Sequence, residues 1–555
     1  MSQGGYHPRP LRSALQRHAA FVAIFAVAVV LRLADLARVP NPAGDEGTWT
    51  WIAFRIAHGT PAGLDADASF VSLTHARLMA LSMRLVGEGF FAARLVGGVA
   101  SLVAVVAMYV AYATRDSRRG GLVAAAFIAF HPWAILWPRT ASVPYALALC
   151  VLTVGQLLFV SGLARKNAWL VAAGIVVFAL GPDFSPLTFL PAMACGLFAV
   201  RPAHRWLFRK PALYVGIALA AAHAVPIVLA ASRVARATAP RHHFDHFATR
   251  LASYLHLTLT GTMGEATLRH FTDAAVTPAL AAPLALVTVA AVVSASRREV
   301  RDESPFDGFG PFAFLFTIAT MPFLLAPGRP WHLARIDTDR YLFALIPSFA
   351  MCLGDLAHAA WKGHQPFVVS KSRRGTSAAV SKDGASMRIA VAIALAIPAM
   401  ATLRAAVWFA RGGGPDRGLD VFEGGGDYRG WRAAREREPL PVLLRDEVLR
   451  RVGRDGAAMI IADMAFHPLH VTNALMGIPV YDMRRGPVPS RPDGHYFYVI
   501  FADSMFAPSM SPDTPARENR ALRAHMLASS PHPQLVRRFV QPDGSPLCEL
   551  WRADH

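Results

Sequence analysis

Two adjacent carboxylates follow the first apolar segment of the chain. Asp45 and Glu46 stand between the apolar run 19–34 and an amphipathic stretch that contains Trp49 and Trp51. A carboxylate held near a membrane surface can remove a proton from an acceptor hydroxyl group, which is the role of a general base. The alternative is structural, because Asp45 can also cap a helix that begins near Glu46 while the tryptophans anchor it at the interface. The two roles are compatible.

Two arginines are predicted at helix ends on the same side as this carboxylate pair. Arg139 follows one apolar segment, and Arg340 precedes another. A guanidinium can form paired, charge-assisted hydrogen bonds with a phosphate group, although an arginine at this depth can also simply snorkel to the interface. Further polar side chains nearby are candidate substrate contacts: Tyr145, Asp183, His332, Arg335, Asp337 and Tyr341.

Three short motifs raise the question of a metal site. Asp65-Ala66-Asp67 and Asp337-Thr338-Asp339 match the DxD pattern, and His242 and His246 would share one face of a helix at the spacing of metal ligands. None of these motifs has a complete ligand set, and solvated loops explain them equally well. The sequence therefore indicates no cofactor. Binding of a divalent metal is possible, but no motif supports it.

The elements that would position these side chains are about eleven apolar segments. Each is close to the length that a helix needs to cross roughly 30 Å of hydrocarbon at about 1.5 Å per residue. They are 19–34, 92–113, 121–137, 142–162, 167–182, 184–200, 212–231, 277–296, 311–327, 341–360 and 387–409. Lysines and arginines concentrate in the loops on one side, which the positive-inside rule assigns to the cytoplasm. The loop with Asp45 is then extracytoplasmic.

The composition fits an integral membrane protein. Hydrophobic residues make up 54% of the chain and charged residues 17%, which is too apolar for a series of soluble domains. The net charge is +19, but the basic residues are dispersed between apolar segments. Membrane lipids and a phosphate-bearing ligand are therefore the expected partners, and nucleic acid is not. The four cysteines are widely spaced and support neither a disulfide framework nor a metal site.

A second, smaller domain is predicted after the last apolar segment. Glycine runs at 412–414 and 424–426 indicate a linker, and 442–452 has helical periodicity. Four short segments are typical of strands: 459–462, 496–501, 536–540 and 547–551. The predicted fold is mainly α, a polytopic transmembrane helical bundle over residues 1–410. An extracytoplasmic linker and a small α/β domain would follow over residues 411–555.

The order of these features resembles the GT-C superfamily of membrane glycosyltransferases, particularly its branch of protein mannosyltransferases and lipid A aminoarabinose transferases. Those enzymes place an Asp-Glu pair just after their first helix, where this chain has Asp45-Glu46. Three further stretches look like family elements in the same order: Leu85–Leu95 (LVGEGFFAARL), His131–Leu147 (HPWAILWPRTASVPYAL) and Arg340–Pro347 (RYLFALIP). The resemblance thus extends from the first loop to Pro347.

The resemblance implies inverting transfer of a hexose or pentose from a polyprenyl-phosphate carrier to an acceptor hydroxyl at the extracytoplasmic face of the membrane. Asp45 would be the catalytic base, Glu46 would support the acceptor or the local charge, and the acceptor would be a lipid, a glycan or a protein. One position departs from some relatives, because Pro144 stands where they have an acidic residue. A second-loop carboxylate for acceptor or metal is therefore in doubt.

A function of a different class is also open. A transporter or a non-catalytic protein that binds lipid-linked sugars could share the same helices and basic loops. Transporters often contain paired repeats and charges at mid-membrane depth, and neither is evident in this sequence. The enzyme is therefore the favoured interpretation.

Overall fold

The chain forms a helical bundle followed by a five-stranded sheet. The computed structural model describes residues 11–37, 44–59, 73–141, 144–238, 255, 258–264, 278–325, 341–362, 388–389, 391–404, 440–452, 458–462, 480–482, 495–502, 513–540, 544 and 546–554. The predicted fold class, a mainly helical bundle with a small C-terminal α/β unit, is confirmed.

Helical structure coincides with each of the predicted apolar segments. The helices of the bundle are α1 Leu11–Leu33, α2 Gly44–Ala57, α3 Thr74–Val86, α4 Phe90–Ala113, α5 Arg118–Phe130, α6 Pro132–Leu136, α7 Tyr145–Ala164, α8 Ala168–Ala179, α9 Phe189–Ala199, α10 Pro211–Thr238, α11 Pro278–Ser296, α12 Arg298–Glu303, α13 Phe309–Leu325, α14 Ile346–Lys362 and α15 Val391–Arg404. Short 3-10 helices occur at Trp137–Arg139, Gly181–Asp183, Pro186–Thr188 and Pro202–Arg209. The end at which α1 finishes and α4 and α7 begin is called the outer end below.

By length and composition, three helices in the described residues can each cross a membrane: α4, α7 and the Pro211–Leu229 part of α10. The number rises to five if two bent helix pairs each count as one span. The remaining apolar helices include α1, α8, α11, α13 and α15, which are shorter in their described apolar parts. The chain thus has several apolar helices of the kind found in integral membrane proteins.

One of the bends places residues near Asp45. α5 ends at Phe130. Nδ1 of the next residue, His131, accepts a hydrogen bond from the backbone N–H of Trp133 over 3.1 Å, and Pro132 starts α6 at a bend of 64°. Proline suits the first position of a helix because it lacks the N–H that would have no partner there. The following 3-10 helix packs closely on α4, since a Cβ on Gly97 would lie 2.4 Å from the carbonyl oxygen of Pro138. Only glycine permits this approach.

A buried arginine ties α1 to α4 and α5. Arg32 is fully buried, and its Nε donates to Oγ of Ser101 over 2.9 Å. Its terminal nitrogens donate to the carbonyl oxygens of Ile128 (2.9 Å) and Ala129 (3.0 Å), which lie in the last turn of α5. A charge within an apolar segment needs such polar partners. Arg32 therefore fixes how α1 approaches the outer end.

The C-terminal unit is a mixed sheet with the strand order β2-β1-β3-β5-β4. Its strands are β1 Ala458–Ala462, β2 Val480–Asp482, β3 His495–Phe501, β4 Gln534–Val540 and β5 Pro546–Asp554, and its helices are α16 Leu440–Val452 and α17 Asp513–Ser529. β1 is parallel to β2 and β3, whereas β5 is antiparallel to β3 and β4. All four predicted strands and the predicted helix are present. α17 and the three-residue β2 were not predicted.

Candidate functional site

A buried ion pair attaches the start of α2 to the outer end. Nε and Nη2 of Arg94, near the start of α4, donate to the two carboxylate oxygens of Glu46 over 2.6 and 2.9 Å. Both side chains are fully buried. Nη1 of Arg94 donates to the carbonyl oxygen of Leu36 over 2.9 Å, and the backbone N–H of Ala141 donates to Oε1 of Glu46 over 2.9 Å. A two-point contact of this kind fixes orientation as well as distance, so the first turn of α2, which contains Asp45, is held in place.

Arg139 caps the outer end of α1. Its Nη1 donates to the carbonyl oxygen of Leu31 over 2.8 Å, and its Nη2 donates to that of Ala34 over 2.7 Å. The last carbonyls of a helix lack partners within the helix, and a cation there also opposes the helix dipole. Arg139 is 6% exposed. It positions the chain that leads towards Asp45, and its predicted contact with a phosphate stays a prediction.

Asp183 joins three segments at the outer end. Its Oδ1 accepts the hydroxyl hydrogen bond of Thr74, at the start of α3, over 3.0 Å, and its Oδ2 lies 2.7 Å from Nε2 of His223 on α10. The carboxylate is buried, whereas the imidazole side chain is 41% exposed. A carboxylate bound to one ring nitrogen fixes the orientation and tautomer of a histidine. The predicted substrate contact of Asp183 stays a prediction, and His223 joins it as a candidate.

Two of the predicted substrate contacts, Tyr145 and Tyr341, lie together. Their ring centroids are 5.6 Å apart in an edge-to-face arrangement, and Tyr145 stacks on Phe343 at 5.3 Å and 15°. Both tyrosines are half-buried. Tyrosine combines an apolar ring with a polar tip, which suits the border between a packed core and a wet site. The contact brings Tyr341, from the sequence element that ends at Pro347, to the first residue of α7.

Several predicted site residues lie outside the described residues. They are His332, Arg335, Asp337 and Arg340, together with the motifs at 65–67 and 242–246. Asp45 is described as part of α2 by its backbone alone. Within the part of the chain that the structure describes, no group of three or more His, Cys, Asp or Glu side chains is arranged to hold a metal ion.

Arg94, Arg32 and His223 were not selected as site residues from the sequence. A signal for Arg94 did exist, because it is the one charged residue in the apolar segment 92–113. Such a residue must find polar partners within the protein. The sequence does not show which partner it takes, and Glu46 is 48 positions away.

His75 is buried between α2 and α3. Its ring meets Trp49 edge-on with centroids 5.0 Å apart, and it is 3% exposed. Neither ring nitrogen makes a hydrogen bond of ordinary geometry among the described residues. Burial lowers the pKa of His75 from 6.5 to about 4, and a weak polar contact with the backbone of Ala141 partly offsets this effect. The imidazole is therefore neutral at pH 7.

Acidification is expected to loosen the packing of α2 on α3. Because the pKa of His75 is lower in the folded chain, the unfolded chain binds the proton more tightly between pH 6.5 and 4. The stabilisation is complete above pH 6.5 and is lost as pH falls through this range, by up to about 3 kcal/mol. His75→Phe keeps a ring against Trp49 and should lose less stability than the wild type between pH 7 and pH 4.5. Thermal unfolding in detergent measures this difference, and equal losses would show that another group titrates.

The fold and these contacts define a membrane-embedded helical protein with a candidate site at one end of its bundle. Residues 71–229 match the family described as dolichyl-phosphate-mannose-protein mannosyltransferase. The fold is similar to that of ArnT from Cupriavidus metallidurans bound to undecaprenyl phosphate, at 13% identity and a TM-score of 0.50, over 97% of this chain and 98% of that one. The fold is also similar to that of ArnT from Cupriavidus metallidurans in the apo state, at 11% identity and a TM-score of 0.52. This match covers 97% of this chain and 98% of that one.

The family match over residues 71–229 and the ArnT-like fold agree with the resemblance to the GT-C membrane glycosyltransferases that the sequence shows. No curated protein matches the chain in sequence.

Proposed function

We propose that this protein transfers a sugar from a polyprenyl-phosphate-sugar donor to an acceptor hydroxyl group, with inversion at the anomeric carbon. The observation that carries the proposal is the anchoring of Asp45's helical turn at the outer end through the Glu46–Arg94 pair. Two comparisons support it: the matched family uses a polyprenyl-phosphate sugar by its description, and the ArnT structure contains undecaprenyl phosphate.

In the proposed reaction, Asp45 accepts the proton of the acceptor hydroxyl as that oxygen forms a bond to the anomeric carbon. The bond between this carbon and the phosphate oxygen breaks in the same step, and the polyprenyl phosphate leaves with the electron pair. A single displacement inverts the configuration. Phosphate is a good leaving group when cations neutralise it, so no separate general acid is required.

The other residues have supporting roles in this proposal. Glu46 has its carboxylate bound by Arg94 and by the backbone of Ala141, so it positions α2 and the charge of Asp45 beside it. Arg340 binds the donor phosphate. Arg139 contributes positive charge nearby while it caps α1.

Polar groups around this centre are proposed to contact the sugar and the acceptor. The Tyr145–Tyr341 pair offers ring faces and hydroxyl groups, and the Asp183–His223 pair offers a carboxylate and an imidazole. His332, Arg335 and Asp337 precede Tyr341 in the sequence and are kept as candidates. No cofactor is part of the scheme.

We also infer the orientation in the membrane. The loops at the end opposite the active site carry the basic clusters, so the positive-inside rule places the outer end outside the cytoplasm. Residues 411–555 would then form an extracytoplasmic domain. A polyprenyl-phosphate sugar suits this face, because its carrier lipid keeps the donor in the bilayer.

The test is direct label transfer. Membranes that contain the protein and its native acceptors are incubated with radiolabelled polyprenyl-phosphate hexoses and pentoses, with nucleotide sugars as the matched control. We expect label in a lipid, glycan or protein product from one of the polyprenyl-phosphate sugars and none from nucleotide sugars alone. Movement of intact donor across the membrane without cleavage of the sugar–phosphate bond would instead identify a transporter and contradict the proposal.

A further inference from the structure

α9 and α10 diverge and leave an apolar cleft of about 480 Å³ between them. Its floor is α8 together with Phe159 of α7, and all of its lining residues are apolar. This volume lies in the range of roughly 300–1,000 Å³ that is typical of ligand-binding cavities. The α10 wall runs from Leu213 to Val225, about 18 Å at 1.5 Å per residue, which exceeds half of the roughly 30 Å hydrocarbon thickness.

The 3-10 helix Pro202–Arg209 closes the cleft at the end opposite the candidate site. Leu207 and Phe208 from this helix line the cleft, and the hydroxyl group of Tyr214 donates to the carbonyl oxygen of Phe208 over 2.8 Å, which fixes the turn to α10. The segment 200–213 contains no acidic residue. Its exposed cations are Arg205, Arg209 and Lys210.

We propose that this cleft binds an acyl chain of an anionic phospholipid, with the lipid phosphate at Arg205, Arg209 and Lys210. An apolar slot that ends at exposed cations complements an amphiphile with one long apolar chain and one anionic head. The cations also lie at the end where the other basic loops gather, and that end faces the anionic leaflet by the positive-inside rule. The site is independent of the chemistry proposed at the outer end, so it holds whether or not the protein transfers sugar.

Phosphatidylglycerol is the probe, and phosphatidylcholine is the neutral reference. The protein is equilibrated with equal amounts of both in detergent, and the lipids that stay bound are measured by native mass spectrometry. Gly196 lines the cleft, and a Cβ there would meet no heavy atom within 4 Å. Gly196→Leu therefore places a side chain in the cleft, where its Cβ has room, and should reduce the amount of bound lipid. Leu197→Phe is its matched control, because Leu197 is 51% exposed on the same helix and does not line the cleft.

The charge is tested separately. Each basic residue near an anionic surface favours binding by about fivefold, so Arg209→Gln with Lys210→Gln should reduce the preference for phosphatidylglycerol by about 25-fold. Arg297→Gln with Arg298→Gln removes two exposed cations at the same end that do not line the cleft, and should leave the preference unchanged. Equal retention by the wild type and Gly196→Leu would overturn the proposal, as would an equal loss in the two charge variants. Retention of undecaprenyl phosphate in place of phosphatidylglycerol would assign the cleft to the carrier and overturn it too.

Discussion

Asp45→Asn is expected to lower the rate of sugar transfer by about 100- to 10,000-fold, the usual contribution of a general base. The amide keeps nearly the same size but cannot take up the acceptor proton. Folding should be little affected, because the buried contacts of Glu46 that anchor the start of α2 stay in place. Donor binding should also persist, since the donor phosphate is bound by cations in the proposed scheme.

Initial rates with labelled donor, and donor binding measured in the same preparation, separate these effects. Glu88→Gln is the control variant, because Glu88 is a half-exposed carboxylate in the same loop that pairs with His58 over 3.0 Å. It should retain the wild-type rate. If Asp45→Asn turned over normally, another group would have to accept the proton, and the proposed role of Asp45 would be wrong.

The helices of the bundle could be predicted from the sequence because each one is indicated by residues that are consecutive in the chain. Each apolar segment is long and uniform, and a bilayer requires every such segment to satisfy its own backbone as a helix. α3 was not predicted as a helix even though it packs on α2, because its thirteen residues interrupt the apolar side chains with Arg77 and Arg84 and do not form a continuous apolar segment. β2 was missed since three residues show no periodicity.

The candidate site was predicted only in part, because its contacts join distant positions. The carboxylate pair and the tyrosines have a local signature, and the resemblance supplied their roles. The Glu46–Arg94 pair, the cap of α1 by Arg139 and the Asp183–His223 pair depend on how helices pack, with separations of 48, 105 and 40 residues. A single sequence does not show which buried charges become partners. It shows only that each must have one.

These contacts converge on the short segment that follows α6. Arg139 binds the end of α1, Ala141 binds Glu46 on α2, and Tyr145 meets Tyr341 before α14. These three residues, which lie within seven positions of one another, thus contact three separate parts of the outer end. The break in the helix at Pro132 brings the segment there.

Arg94→Ala is expected to have the largest effect on stability. It removes the cation that binds both carboxylate oxygens of the buried Glu46, and loss of one partner of a buried pair costs about 3–5 kcal/mol. Arg84→Ala is the matched control. Arg84 also binds α2, through the carbonyl oxygens of Ile56 and Ala57, but it is exposed, so its removal should cost less than about 1 kcal/mol.

The double variant Glu46→Leu with Arg94→Met separates folding from positioning. Replacing both members of a buried ion pair by apolar residues of similar size is often close to neutral for stability, so thermal unfolding should recover much of the loss seen in Arg94→Ala. Transfer should stay low, because the first turn of α2 no longer has its two-point anchor to α4 or its hydrogen bond from Ala141. The donor KM should change less than kcat, since neither residue binds the donor. Wild-type turnover in the double variant would mean that the pair contributes stability alone and that Asp45 is oriented by other contacts.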